Sequence, residues 1–203
     1  MIVLVRHGET DGNATRVLQT PDVPLNARGI RQARALAERL HGLGIARIVS
    51  SDLLRARMTA EPIAARVGLP IETSPLLQER NFGDLRGIPY SQLSSNPFAP
   101  DSEPPGGESW PVFHARVAEA FAFICALRER TSGNLIVVTH GLVCRALVER
   151  HAAWSSLGAL PDRFHNTSVT TLEPSAPFIV RLGNCYEHLP LEDTDAARET
   201  GAA

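Results

Sequence analysis

Two apolar runs of the chain end in nearly the same pattern, Val5-Arg6-His7-Gly8 and Val138-Thr139-His140-Gly141. Each run is short and apolar with several β-branched residues, which is typical of a strand buried on both faces of a parallel sheet. The carboxyl ends of parallel strands share one edge of the sheet, and ligands bind in the crevice outside that edge. We therefore expect His7 and His140 to meet there.

The rest of the chain alternates short apolar runs with helical patterns. We predict strands at residues 2–5, 46–50, 69–73, 135–139, 169–172 and 178–182. A helix capped by Asn26 should end before Gly42, and a helix capped by Asp52 should run to residue 67, with Pro62 kinking or dividing it. Two further helices are predicted at 108–130 and 141–150. This alternation predicts an α/β fold, a three-layer αβα sandwich with a mainly parallel central sheet.

The length of 203 residues predicts one domain, which we assign to residues 1–190. Residues 86–111 contain six prolines, Pro111 included, and the pair Gly106-Gly107, so we interpret this segment as a lid-like insertion. Residues 191–203 are acidic and rich in alanine, and we expect this tail to fray.

The composition excludes several function classes. All 20 basic residues are arginine, which removes Schiff-base chemistry and the lysine of a Walker phosphate loop. A formal net charge of -2 gives no broad positive field for nucleic acid or an anionic membrane. Three cysteines without CxxC spacing argue against a disulfide framework and a cysteine zinc site. No run resembles a signal peptide, so we expect a cytoplasmic protein.

Cationic side chains are expected at the same sheet edge as the histidines. Arg6 precedes His7, and Arg55 lies about one turn beyond the strand at 46–50. Arginine forks match the oxygens of a phosphate bidentately. Two imidazoles and two guanidiniums at one edge therefore indicate a phosphate site.

The stretch Leu4-Val5-Arg6-His7-Gly8-Glu9-Thr10 closely resembles the signature of the histidine phosphatase superfamily, which has the phosphoglycerate mutase-like fold. The resemblance covers roughly residues 1 to 175. It continues in order through Asn13, Asp22-Val23-Pro24-Leu25, Ser50-Ser51-Asp52-Leu53-Leu54-Arg55, Leu77-Gln78-Glu79-Arg80-Asn81-Phe82-Gly83, Gly107-Glu108-Ser109 and Val138-Thr139-His140-Gly141.

The resemblance implies a role for each matched residue. His7 would be the nucleophile that becomes a phosphohistidine, and Glu79 would donate and accept the proton. The transferring phosphoryl group would be bound by Arg6, Arg55, His140 and Asn13, with Thr20 added to the expected substrate-binding set. Two guanidiniums near His7 should lower its pKa and keep it neutral. The cations around the phosphoryl group could take the place of a metal ion. We expect neither a cofactor nor a metal.

Two stretches depart from the family pattern. The chain has Gln19-Thr20-Pro21 where many relatives carry a glycine, and Leu85-Arg86-Gly87 where they often show Trp-Glu-Gly. These positions affect the choice of substrate rather than the phosphoryl chemistry.

The charges of the insertion distinguish hydrolysis from mutase-like transfer. Between Arg86 and Pro111 the chain has three acidic side chains and no basic one, whereas a bisphosphate intermediate would need extra cations. We therefore expect the compact phosphatase branch and hydrolysis of small phosphomonoesters. Mutase-like phosphoryl transfer between hydroxyls and a non-catalytic phospholigand-binding protein are the alternatives. The expected partner is a small phosphorylated metabolite, with no nucleic acid and no membrane, and a homodimer is left open.

Overall fold

The structure is a computed structural model that describes residues 1–154 and 157–194. Six strands and five α-helices alternate along most of these residues. In chain order they are β1 Ile2–Arg6, α1 Asp11–Thr15, α2 Ala27–Leu40, β2 Ile45–Ser51, α3 Leu54–Val67, β3 Ile71–Ser74, α4 Trp110–Glu129, β4 Asn134–Thr139, α5 Gly141–His151, β5 Val169–Leu172 and β6 Val180–Cys185.

The strands form one sheet in the order β3-β2-β4-β1-β5-β6. The pairs β3-β2, β2-β4 and β4-β1 are parallel, whereas β5 is antiparallel to both of its neighbours. Val5 pairs with Val138 in register, so the two histidines that follow leave the sheet side by side. The prediction of a mainly parallel sheet is confirmed.

Helices cover both faces of this sheet. Ile2 and Leu4 of β1 lie in the cluster that α4 and α5 cover, whereas Val3 and Val5 lie in the cluster beneath α2 and α3. This alternation follows from the two-residue period of a strand, and each buried side chain of this kind contributes roughly 1.5–3 kcal/mol. The predicted three-layer αβα sandwich is confirmed.

Two details of the helices matter for the site. Asn26 caps α2 as predicted, because its side chain accepts from the backbone N–H of Gly29 at 2.8 Å. The predicted Asp52 cap of α3 is wrong: Leu53 is the N-cap, and the Asp52 carboxylate accepts from the Gln78 side chain at 2.8 Å. Pro62 does not divide α3, which is continuous, because Ala60 and Ile63 on either side are buried in the core.

The segment 86–111 is tied to the body of the domain by Arg80. The buried Arg80 guanidinium donates to the backbone carbonyls of Pro97, Ser102 and Glu108 at 2.9, 2.6 and 3.0 Å. The Trp110 indole adds a bond to the carbonyl of Ala99 at 2.7 Å. These carbonyls have no partner in a helix or strand, and the several N–H donors of the planar guanidinium supply their hydrogen bonds instead.

The first part of the expected frayed tail is docked. Leu191–Asp193 form a turn of 3-10 helix, and Asp193 and Thr194 are buried. The Asp193 carboxylate accepts from Arg31 Nε at 3.2 Å, and its carbonyl accepts from Gln32 at 2.7 Å. The expectation of fraying therefore differs from the structure for residues 191–194, and residues 195–203 lie outside the described part.

Helix α4 is long and apolar enough, by length and composition alone, to cross a membrane. One face of α4 packs in the core, where Phe113, Val117, Ala120 and Ile124 are fully buried, whereas Val112 on another face is exposed.

Candidate active site

His7 leaves β1 at the edge of the sheet and is held by backbone groups. Its ring Nδ1 lies 2.7 Å from the carbonyl oxygen of Gly8. A carbonyl only accepts, so this contact keeps the proton on Nδ1 and leaves the lone pair on Nε2. Gly8 allows the sharp exit, since a Cβ there would stand 2.7 Å from the carbonyl oxygen of Gly29.

His140 stands beside His7 at the end of β4. Their ring centroids are 5.1 Å apart, and the planes are inclined by 58°. His140 Nε2 lies 2.9 Å from the hydroxyl of Ser51, which ends β2. Its Nδ1 is buried without a hydrogen-bond partner in the part of the chain that the structure describes. One ring nitrogen is thus fixed by the protein and the other remains available.

Both imidazoles are neutral at physiological pH. Burial, followed by the charges of Arg55 and Arg6, lowers the pKa of His7 well below its usual value. Burial and Arg55 likewise lower the pKa of His140. The reason is that the imidazolium form would be desolvated next to two guanidiniums. His7 Nε2 therefore keeps the lone pair that a nucleophile requires.

Two arginines provide fixed positive charge at this point. Arg55, in the first turn of α3, is buried and donates from Nη1 to the carbonyl of Thr20 at 3.0 Å. Its Nε is buried without a partner among residues 1–154 and 157–194. Burial lowers the pKa of Arg55 to about 10, so it stays cationic at neutral pH. The Arg6 guanidinium donates to the carbonyl of Phe164.

Glu79 faces the same cations from a loop after β3. Its carboxylate accepts from the backbone N–H of Leu142 at 3.2 Å and from that of Arg80 at 3.0 Å. Burial raises the pKa of Glu79, and this outweighs the opposing effects of both bonds and of Arg55 and Arg6. A carboxyl with a raised pKa is suited to donate a proton near neutral pH.

Arg116 on α4 holds the backbone around Glu79. It donates to the carbonyls of Leu76 and Gln78 at 2.9 and 2.8 Å and pairs with Glu108 at 2.7 Å. Burial alone would raise the pKa of Glu108, but the bond from Arg116 and that from the Asn81 backbone lower it. This ion pair therefore fixes the loop that carries Glu79.

These groups open into a cavity of about 890 Å³. The predicted residues that line it are Arg6, His7, Asn13, Arg55 and Glu79. His140 is fully buried and packs against the ring of His7.

Asn13 and Thr20 differ in their placement. The Asn13 side-chain oxygen accepts from the backbone N–H of Thr10 at 3.2 Å and from Asn166 at 3.3 Å, so its amide NH₂ is the end available to a ligand. The structure does not bring the Thr20 side chain to the cavity: its hydroxyl donates to Asp22 at 2.7 Å, and its carbonyl holds Arg55. Gln19 lines the cavity instead.

The comparison with known families agrees with this geometry. The family model of the histidine phosphatase superfamily (branch 1) matches residues 2–181. The chain belongs to this superfamily. The resemblance stated from the sequence is thereby confirmed.

Relatives of this histidine phosphatase superfamily member include mutase-like and phosphatase proteins. It is 42% identical over 164 residues to phosphoglycerate mutase-like protein 4 of Arabidopsis thaliana, covering 73% of this chain and 70% of the relative. The alpha-ribazole phosphatase from Shigella flexneri superimposes with a TM-score of 0.77 and 26% identity, over 91% of this chain and 96% of that one. A mycobacterial glucosyl-3-phosphoglycerate phosphatase in complex with VO3 gives a TM-score of 0.69 and 31% identity, over 83% and 88%.

The cavity of this superfamily member has more cations than the sequence analysis expected. Five further arginines line it, namely Arg16, Arg80, Arg86, Arg145 and Arg163. The argument that extra cations are missing considered only the insertion, and it does not hold because segments outside the insertion, helix α5 among them, supply further arginines.

Ser51 and Arg116 were missed as site residues. Ser51 lies in one of the stretches that resemble the family, but the sequence analysis gave it no role. Glu108, which pairs with Arg116, lies in another such stretch. The described residues contain no group of three or more His, Cys, Asp or Glu side chains that could hold a metal ion.

Proposed function

We propose that this chain is a metal-independent phosphatase that hydrolyses small phosphomonoesters through a phosphohistidine on His7. The observation that carries the proposal is the state of the His7 ring. Its Nδ1–H is bonded to the Gly8 carbonyl, its pKa is held low, and it stands among Arg6, Arg55 and Glu79. A neutral, oriented imidazole beside two cations and a carboxylic acid is the set that phosphoryl transfer to nitrogen requires.

In the first half-reaction, Nε2 of His7 attacks phosphorus and forms a P–N bond. The bond between phosphorus and the ester oxygen breaks, and Glu79 transfers its proton to the leaving alkoxide. Arg6 and Arg55 neutralise the charge on the equatorial oxygens. We assign the proton of His140 to Nδ1, with Nε2 accepting from the Ser51 hydroxyl, so that Nδ1–H donates to one of these oxygens. The mycobacterial relative binds VO3, an oxyanion of the kind that this cation set would hold.

In the second half-reaction, water attacks the phosphohistidine. Glu79, now a carboxylate, accepts the proton of the water, the P–N bond breaks and its electrons return to Nε2. Inorganic phosphate leaves, and both residues regain their starting states. Fixed arginines supply the positive charge throughout, so the proposal needs no metal ion.

A mutase-like transfer between hydroxyls is the second candidate, and the additional arginines of the cavity favour it. The two reactions share the first half and differ in what accepts the phosphoryl group. A non-catalytic phospholigand-binding role is the third alternative, and the complete set of His7, Glu79 and two arginines argues against it.

Phosphate release from a panel of small phosphomonoesters in EDTA tests the proposal. We expect release by the wild type that falls at least about 10³-fold in His7→Ala. Transfer to an added hydroxyl acceptor without phosphate release would identify a mutase. No reaction of either kind would leave the ligand-binding alternative.

The proposal also assigns a setting to the enzyme. Its partner is a small phosphorylated metabolite, and it acts in the cytoplasm without nucleic acid or membrane. Whether two copies associate is tested by the mass of the particle in solution, measured by light scattering.

A further inference from the structure

We propose that Arg16 and Arg86 form a subsite for a second anionic group of the substrate, a carboxylate in the simplest case. This inference rests on the proposed function, because it concerns the part of the phosphomonoester that is not transferred. The phosphate would be held by Arg6 and Arg55, and the subsite would select acids over neutral esters.

A short antiparallel pairing joins the two arginines into one wall of the cavity. The backbone N–H of Tyr90 donates to the carbonyl of Arg16 at 2.9 Å, and Val17 bridges Pro89. At the other end, the N–H of Gly87, the residue after Arg86, donates to the carbonyl of Leu18 at 2.6 Å. Arg16 and Arg86 are therefore carried on adjoining segments, and both line the cavity that contains His7.

Neither guanidinium is neutralised by the protein. Within residues 1–154 and 157–194, no ion pair or hydrogen bond engages the side chain of Arg16 or Arg86, and Arg16 only lies over the Tyr90 ring, 5.7 Å from its centroid. Arg145 on the same cavity differs, because it donates to the carbonyls of Pro161 and Asp162 at 3.3 and 2.8 Å. Two unpaired cations on a concave wall are available to an anionic ligand.

The backbone of Arg16 fixes where its side chain begins. Arg16 is the C-cap of α1 and has the left-handed conformation, with φ 56° and ψ 54°, in which many helices end. Its backbone N–H donates to the carbonyl of Gly12, so the guanidinium extends from a fixed position at the end of this helix. The Tyr90 ring beneath the guanidinium also limits where Arg16 can reach.

Arg86 also affects the phosphate end of the cavity. Its charge is one of the causes, after burial, that lower the pKa of Arg55. The two like charges are therefore close enough to repel, and a ligand with negative charge at both ends would relieve that repulsion.

The test compares two esters that differ only in the second charge, 3-phosphoglycerate and glycerol 3-phosphate. The measured quantity is the ratio of kcat/KM for the acid to that for the neutral ester. The variants are Arg86→Gln, Arg86→Lys and Arg16→Gly, the last of which suits the left-handed backbone and so removes the side chain without adding strain. Arg57→Gln, an exposed arginine of α3 outside the cavity, is the control.

We expect the wild type to prefer the acid by at least about tenfold, the size of one charge-assisted hydrogen bond. Arg86→Gln and Arg16→Gly should each lower the ratio several-fold, mainly through KM for the acid. Arg86→Lys should keep part of the preference, and Arg57→Gln all of it. The subsite would be overturned if the wild type showed no preference for the acid, or if the variants lowered kcat/KM equally for both esters.

A binding measurement separates this inference from the proposed function. Calorimetric titration of His7→Ala with the same two esters reads affinity without turnover. In one outcome, the wild type hydrolyses neither ester, while the acid still binds more tightly than the neutral ester and Arg86→Gln removes that difference in affinity. That result would contradict the proposed phosphatase activity and support the subsite. Equal affinities would contradict the subsite whatever the outcome of the kinetics.

Discussion

The rings of His7 and His140 lie with their centroids 5.1 Å apart, although they follow strands that are far apart in the sequence. The contact arises because β1 and β4 are parallel neighbours in register. Two imidazoles at this distance, both near Arg6 and Arg55, cannot easily carry protons. The fold therefore maintains a pair of neutral histidines.

Stability should consequently fall in acid, in part through His140. Its pKa in the folded protein is lowered, so below about pH 6.5 the unfolded chain binds a proton that the folded one does not. Stability is then lost as pH falls, by up to about 1.4 kcal/mol per pH unit for this one group. Urea unfolding of the wild type and His140→Gln at pH 7.5, 6.5 and 5.5 measures the slope. The wild type should lose more on acidification, and parallel curves would contradict a neutral buried His140.

Replacement of Glu79 should affect poor leaving groups most. In Glu79→Gln, kcat/KM for an alkyl phosphate should fall about 10²–10⁴-fold, because the alkoxide no longer receives a proton. With p-nitrophenyl phosphate, whose leaving group needs little protonation, the loss of kcat/KM should be much smaller. Equal losses for both esters would show that Glu79 acts only in holding the loop.

In Glu79→Gln, the fall of kcat/KM at alkaline pH that the wild type shows should disappear. The reactive enzyme has neutral His7 and protonated Glu79, and the pKa of Glu79 is raised by burial. The rate should therefore fall as pH rises through this raised pKa, at a value above the usual 4.3 or so of a glutamate. An alkaline limb that is the same in wild type and Glu79→Gln would assign it to another group.

Arg80→Met should destabilise the protein because it leaves three carbonyls of the 86–111 segment without their donor. We expect the free energy of unfolding to decrease by about 2–4 kcal/mol. Urea unfolding measures this free energy, and Arg57→Gln, which removes an exposed arginine, is the control. A change of less than about 0.5 kcal/mol, typical of a surface substitution, would contradict the anchoring role.

Most of the sheet and its edge could be predicted because they follow from local patterns. The apolar runs before His7 and His140 define β1 and β4, and the parallel arrangement brings their ends together. The order of the strands and the antiparallel β5 depend on contacts between distant segments, which periodicity does not encode.

Some side chains are placed by contacts that the sequence pattern does not show. The Thr20 hydroxyl bonds Asp22 and the Asp52 carboxylate bonds Gln78, so Thr20 does not face the cavity and Asp52 does not cap α3. Arg116 was missed because it reaches the Glu79 loop from the middle of a helix that the sequence explains as core. Long arginine side chains make such contacts across layers, and their destinations become visible only in three dimensions.

The most direct test of the account is the covalent intermediate. The wild type is mixed with a phosphomonoester in EDTA, quenched within milliseconds at alkaline pH, where phosphohistidine survives, and analysed by peptide mass spectrometry. We predict the mass of one phosphoryl group on His7 that appears and decays at rates consistent with turnover, and no adduct in His7→Ala. Steady phosphate release with no phosphorylated His7, or undiminished release by His7→Ala, would contradict it.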